Sequence, residues 1–204
     1  MKSLCRIKNL FLSIFCALIF CPYMHGEETD DRHLFILSGQ SNMARFKPSL
    51  WLTPALSRAL GEDRVIVSFY AKGGQPISKW YKGWKGSDGS TDPQAGVLYD
   101  TMMQQTRDKI RGSKIKTVTF IWMQGEADAK AKNSEVYLNG LHGLRMQLEA
   151  DLGREDLGFV IGRLSDSGFY RRRDKKRVEN SDWKGIRDAQ EAFANSMERA
   201  VWID

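Results

Sequence analysis

Five short runs in this chain are apolar almost from end to end: Leu34–Ser38, Val65–Tyr70, Thr117–Met123, Gly158–Leu164 and Ala200–Ile203. A strand with one wet face alternates apolar and polar residues, whereas unbroken hydrophobicity marks a strand covered on both faces, as in a parallel sheet. The stretches between the runs carry helical spacing. In Ser134–Ala150, Tyr137, Leu141, Leu144 and Leu148 form one apolar stripe, and Gly153 follows as a stop signal. In Ser181–Arg199, Trp183, Ile186, Phe193 and Met197 do the same, with Ser181 or Asp182 expected as the cap. Strands alternating with helices predict an α/β fold, a three-layer α/β/α sandwich around a central parallel sheet of about five strands. At 204 residues the chain fits one domain with a sizeable core.

Residues 1–26 read as a signal peptide. Lys2, Arg6 and Lys8 precede an 11-residue apolar run, Leu10–Phe20. That run is short for a bilayer, which takes about 20 residues, so membrane contact is expected only through this segment if it stays uncleaved. All three cysteines, Cys5, Cys16 and Cys21, lie within it, which leaves residues 27–204 without a thiol. Disulfides and cysteine-held metals therefore drop out there, and the histidines have no ligand spacing. No metal or cofactor is expected. Taking three cations and no acids off the formal +6 leaves +3. With a secreted or periplasmic location, that charge argues against a nucleic-acid partner.

Three segments that follow strands carry the chemistry. Gly39-Gln40-Ser41-Asn42 presents a serine at a strand-to-helix turn, where open α/β sheets place their sites. Such a serine exposes its hydroxyl, and its own N–H points outward at a helix start. Serines also simply cap helices at such turns. The second segment is Lys72-Gly-Gly-Gln-Pro-Ile-Ser-Lys-Trp80, in which Gly73 or Gly74 lets a main-chain N–H approach a ligand closely. It is equally an ordinary turn. The third, Ile121-Trp-Met-Gln-Gly-Glu-Ala-Asp128, offers the Gln124 amide at a strand end. Glu126 and Asp128 there also read as a solvated pair capping the next helix. The Ser41 amide, a glycine amide and Gln124 together would make a three-donor oxyanion hole.

Gly39–Asn42, Gly73-Gly-Gln-Pro-Ile77 and Trp122–Asp128, with Trp183-Lys-Gly-Ile-Arg-Asp-Ala-Gln190 before the last strand, resemble the sialate O-acetylesterase domain of the SGNH hydrolases. That group is close to the acetylxylan-esterase-like carbohydrate esterases. The resemblance covers roughly residues 33–204 and implies a flavodoxin-like sandwich that hydrolyses acetyl esters on sugars. Ser41 would be the nucleophile. The Ser41 amide, Gly74 and Gln124 would hold the oxyanion, with Gln40, Asn42, Gln75, Trp80 and Glu126 around the acetylated carbohydrate.

The family's Asp-x-x-His motif, expected after the fifth strand, occurs nowhere in the chain, whose residues 201–204 lie within that strand. The histidines are His25, His33 and His142, and neither His33 before the first strand nor His142 in mid-helix is placed to serve as a base. The expectation is an exported carbohydrate O-acetylesterase truncated at its C-terminus. The alternative is a glycan-binding relative without catalysis. An exposed apolar patch is expected around Val201 and Trp202. Trp80, Tyr81 and Trp84 fit either sugar stacking or the pinning of a long glycine-rich loop. Arg171–Arg177 reads as a solvated loop or as a contact for anionic sugars.

Overall fold

The computed structural model describes residues 31–166 and 180–204; the leader, His25 and the Arg171–Arg177 run lie outside them. Strands β1 (Asp31–Gly39), β2 (Val65–Ala71), β3 (Lys114–Met123), β4 (Gly158–Gly162) and β5 (Ala200–Ile203) form one sheet. Its order is β2-β1-β3-β4-β5 and every pair is parallel. β4 ends two residues before the expected Leu164, because the Leu164 N–H leaves the ladder and donates to Gln190 Oε1 (2.9 Å).

The helices are α1 (Ser41–Arg45), α2 (Leu52–Leu60), α3 (Val97–Ile110), α4 (Glu126–Ala131), α5 (Ser134–Leu152) and α6 (Ser181–Asn195). From β1 the chain steps one way to β2, then reverses across β1 to β3 and continues outward. Right-handed crossovers therefore put α1 and α2 on one face and α3, α5 and α6 on the other. Contacts agree with this. Ser68 of β2 bonds Thr106 of α3 (2.7 Å), Trp122 of β3 donates to Tyr137 of α5 (3.3 Å), and Phe159 of β4 meets Phe193 of α6 edge-on at 5.6 Å. In register, Leu34, Ile36, Val118, Phe120, Trp122, Phe159 and Ile161 point into that layer and are buried.

The expected stripe of α5 is wholly buried. The cap of α6 is Asn180, whose side chain accepts from the Trp183 N–H (3.0 Å), rather than Ser181 or Asp182. α6 stops at Asn195, so Met197 packs on the core from beyond the helix. The patch at β5 also differs from expectation. Successive strand residues face opposite sides, so Val201 and Ile203 are exposed together, whereas Trp202 turns to the helical face beneath Arg163, whose guanidinium lies 4.0 Å from its ring centroid. Arg163 also pairs with Glu191 (2.9 Å) and Asp204 (2.6 Å), tying the edge strand to α6.

Candidate active site

The order of the strands reverses at β1 and β3, and the crevice beyond their carboxyl ends is where ligands of such sheets bind. Gly39, the last residue of β1, has φ +141, and a Cβ there would lie 2.1 Å from the Met123 carbonyl oxygen. Only glycine lets β1 and β3 approach so closely. Next to it the Gln40 N–H donates to Met123 O (2.9 Å) and the Lys72 N–H to Gly39 O (3.1 Å). The turn between β1 and α1 is thus fixed to both neighbouring strands.

Ser41 heads α1 and is half-buried, and its hydroxyl has no hydrogen-bond partner among the described residues. Its N–H belongs to the first turn, which has no intrahelical acceptor. The loop after β2 passes directly beside it, with the Cβ direction of Gly73 only 3.7 Å from Ser41 Cβ. Gly74 has φ +72 and is exposed.

Beneath the turn lies a buried polar network that the spacing of residues did not reveal. Gln124 is 1 % exposed. Its Nε2 faces Asp128 Oδ2 (2.5 Å), Gln75 O (3.0 Å) and Gln40 Oε1 (3.2 Å), and its Oε1 accepts from the Tyr137 hydroxyl (2.9 Å). An amide nitrogen has two hydrogens, and both are occupied by protein acceptors. The Gln124 side chain therefore scaffolds the site and does not face an oxyanion, contrary to the expectation. Gln40, 3 % exposed, likewise turns inward and accepts from the Ala127 N–H (3.2 Å).

Asp128 is the centre of this network. Its Oδ2 also accepts from the Ile77 N–H (2.8 Å), which joins the loop after β2 to α4. Burial raises its carboxyl to about 6, partly opposed by the hydrogen bonds from Gln124, Ile77 and Asn133. Burial also raises the Tyr137 phenol well above its usual range, which keeps it a donor at neutral pH. Gln190 of α6 completes the network by donating to Gln124 O (2.7 Å). The motif around Gln190 carried the resemblance, but only the fold reveals what its amide holds.

A cleft of about 530 Å³ opens beside this turn between Gly74, Pro76, Ala127 and Ala131, with Gln40 and Glu126 in its wall and Lys130 also lining it. Asn42, next to Ser41, donates to Glu126 Oε1 (2.7 Å). Glu126 Oε2 is buried without a partner among the described residues, and burial raises this carboxyl's pKa. Gln75 is half-buried, its amide returning to Gly73 O (3.3 Å).

The aromatic cluster pins the loop. Trp80 is fully buried and meets Trp122 edge-on at 5.1 Å, so the sugar-stacking role expected of it is excluded by its position in the core. Tyr81 lies against α5 where Gly143 has no side chain; a Cβ there would come within 2.1 Å of its ring. Gly140 makes a second notch, filled by Ile77. Trp84 packs on the same core. The two described histidines are elsewhere. His33 Nδ1 bonds Thr117 Oγ1 (2.8 Å) near the amino end of β1, roughly 20 Å of strand from Gly39. His142 lies against Phe193 at 5.1 Å. Burial lowers the pKa of both.

Residues 45–203 match the carbohydrate esterase family of sialic acid-specific acetylesterases, and the chain belongs to that family. Among solved structures, a protein of Arabidopsis thaliana superposes with a TM-score of 0.62 at 19% identity, covering 85% of each chain. A carbohydrate acetylesterase of Xanthomonas citri superposes with a TM-score of 0.56 at 17% identity, covering 83% of this chain and 49% of that one. This chain thus spans about half of the latter's length. At these identities the two structures show the fold alone. No curated protein matches the sequence.

Proposed function

We propose that the protein is an exported carbohydrate O-acetylesterase in which Ser41 attacks the acetyl carbonyl. The observation that carries this reading is the placement of Ser41. It stands just past the carboxyl end of β1, at the point where strand order reverses, with a hydroxyl that has no partner among the described residues and with Gly73 beside it. Attack by Ser41 Oγ forms the acyl–oxygen bond and pushes negative charge onto the carbonyl oxygen. The main-chain N–H groups of Ser41 and Gly74 are the donors for that charge, and the Gln124 amide is occupied below them. Collapse of that intermediate breaks the ester C–O bond and releases the sugar, whose oxygen takes up a proton. Water then hydrolyses the acetyl-enzyme to acetate and free Ser41. The small apolar wall of Pro76, Ala127 and Ala131 suits an acetyl methyl group. Export rests on the basic and apolar pattern of residues 1–26.

The proton of Ser41 needs an acceptor, and among the described residues neither histidine lies at this end of the sheet. No described histidine therefore serves as that acceptor. Removing a triad histidine leaves roughly 10³–10⁴ of catalysis over water from the remaining site. The 204-residue chain is accordingly expected to hydrolyse 4-nitrophenyl acetate slowly, with added imidazole raising the rate through Ser41. Ser41→Ala is expected to remove that imidazole-dependent increment. Equal rates in both proteins with and without imidazole would favour the second reading, a glycan-binding relative without hydrolysis, to which the position of both histidines gives weight.

A further inference from the structure

Of the six tryptophans, five are engaged in packing. Trp80 and Trp122 are fully buried, Trp84 packs on the core, the Trp183 indole donates to Ser165 O (2.9 Å), and Trp202 lies under Arg163. Trp51 is 70% exposed, and its neighbour Leu50 59%. The backbone that carries them is closed by hydrogen bonds. The Leu50 N–H donates to Lys47 O (3.0 Å), and the Leu52 and Thr53 N–H groups converge on Pro48 O (3.0 and 2.9 Å). This turn joins α1, which Ser41 heads, to α2, which returns toward β2. Ten residues folded through one short helix and a closed turn span on the order of 15 Å. A largely exposed aromatic side chain thus stands within a few sugar units of Ser41, on a hydrogen-bonded turn.

We propose that Trp51 is a sugar-stacking platform, so that the substrate is an oligosaccharide or polysaccharide running from Ser41 across the α1–α2 turn and not a single acetylated sugar. This rests on the carbohydrate O-acetylesterase reading given above. A pyranose presents a face of C–H groups, and the electron-rich face of an indole attracts them while both surfaces leave water. Arg45 and Lys47, exposed on the same stretch, supply donors to ring hydroxyls. The Trp80, Tyr81 and Trp84 cluster is held inward by Gly140 and Gly143, which leaves Trp51 as the exposed indole.

The test is binding of deacetylated xylohexaose, mannohexaose and α2,8-linked hexasialic acid at millimolar concentration. It is measured by isothermal titration calorimetry in every variant and, in the wild type, also by tryptophan emission and iodide quenching. At least one hexasaccharide is expected to shift the emission and shield the indole, while its monosaccharide does neither. Trp51→Ala is expected to weaken that binding about tenfold or more, and Trp51→Phe to retain most of it. An unchanged melting temperature in Trp51→Ala shows that the fold is intact. Equal binding by Trp51→Ala, equal binding of monosaccharide and hexasaccharide, or no binding of any of the three would overturn the proposal. Because the probes carry no acetyl group, failure of hydrolysis would sink the esterase reading without altering this result.

Discussion

Gly39→Ala is expected to leave the protein insoluble, or to lower its melting temperature by about 10 °C or more. The added Cβ would lie 2.1 Å from Met123 O, 2.7 Å from Met123 C and 3.0 Å from Met123 N. Those atoms are backbone of the central strand, so no rotamer change relieves the overlap. β1 and β3 must separate, and the Gln40-to-Met123 and Lys72-to-Gly39 bonds go with them. Steric strain at such a site ranks with the largest single-residue losses, about 4 kcal/mol or more, and a chain of this size loses roughly 2–4 °C per kcal/mol. Gly74→Ala is the control. Its φ of +72 is also left-handed, but no atom lies within 4 Å of the new Cβ, so the cost is about 1 kcal/mol. Thermal unfolding of the two variants separates close approach from backbone strain. Similar small losses in both would refute the account of the β1–β3 contact.

Asp128→Ala is expected to cost about 3 kcal/mol and to loosen the loop after β2. The carboxylate accepts from the Ile77 N–H, and that buried donor left without a partner costs roughly 1–3 kcal/mol. Gln124 Nε2 loses its shortest bond but keeps Gln75 O and Gln40 Oε1 as acceptors. Loss of the buried charge offsets part of this. Because Ile77 anchors the segment that lays Gly73 beside Ser41, the site should lose its shape together with the stability. The same residue sets a pH dependence. Its carboxyl sits at about 6 in the folded protein against roughly 4 in an unfolded chain. The folded state therefore holds the proton more tightly. The stabilisation linked to this proton is fully present below about pH 4 and is lost as pH rises through about 6. In urea unfolding at pH 5 and pH 7.5, Asp128→Asn should show a smaller difference between the two pH values than the wild type. An identical difference in both proteins would remove Asp128 as the origin.

The sheet was legible because its inner strands are fully buried on the helical face and at least partly covered on the other over the residues nearest the core. This leaves almost continuous apolar runs such as Val118–Trp122 and Phe159–Ile161, whereas the edge strand β5 exposes Val201 and Ile203. The Ser41 turn was legible because a buried strand running into Gly-Gln-Ser has few other geometries. What escaped is the direction in which side chains point once loops fold back. Gln124 and Gln40 read as site donors yet turn into the network below, since Asp128 and Tyr137 offer them partners visible only in three dimensions. Trp80 and Tyr81 fitted a sugar platform or a pinned loop equally well, and the notches at Gly140 and Gly143 of α5, which draw their loop inward, decide for the loop. The spacing of Leu98, Tyr99, Met102, Met103 and Thr106 marks α3 after the fact, masked by the Gln, Thr and Asp residues between them. α2 contains Pro54 and has no fully buried residue, so it leaves little trace in the pattern.

The central claim is that Ser41 receives an acetyl group from an acetylated sugar. Hydrolysis through Ser41 passes through an acetyl-enzyme, which a short incubation and an acid quench hold for detection. The measurement is mass spectrometry of the intact chain and of its peptides after incubation with an O-acetylated oligosaccharide, with Ser41→Ala treated alongside. The account predicts one added acetyl group, located on the peptide bearing Ser41 and absent from the variant. An acetyl group found on lysines alone, in equal amount in both proteins, would contradict it.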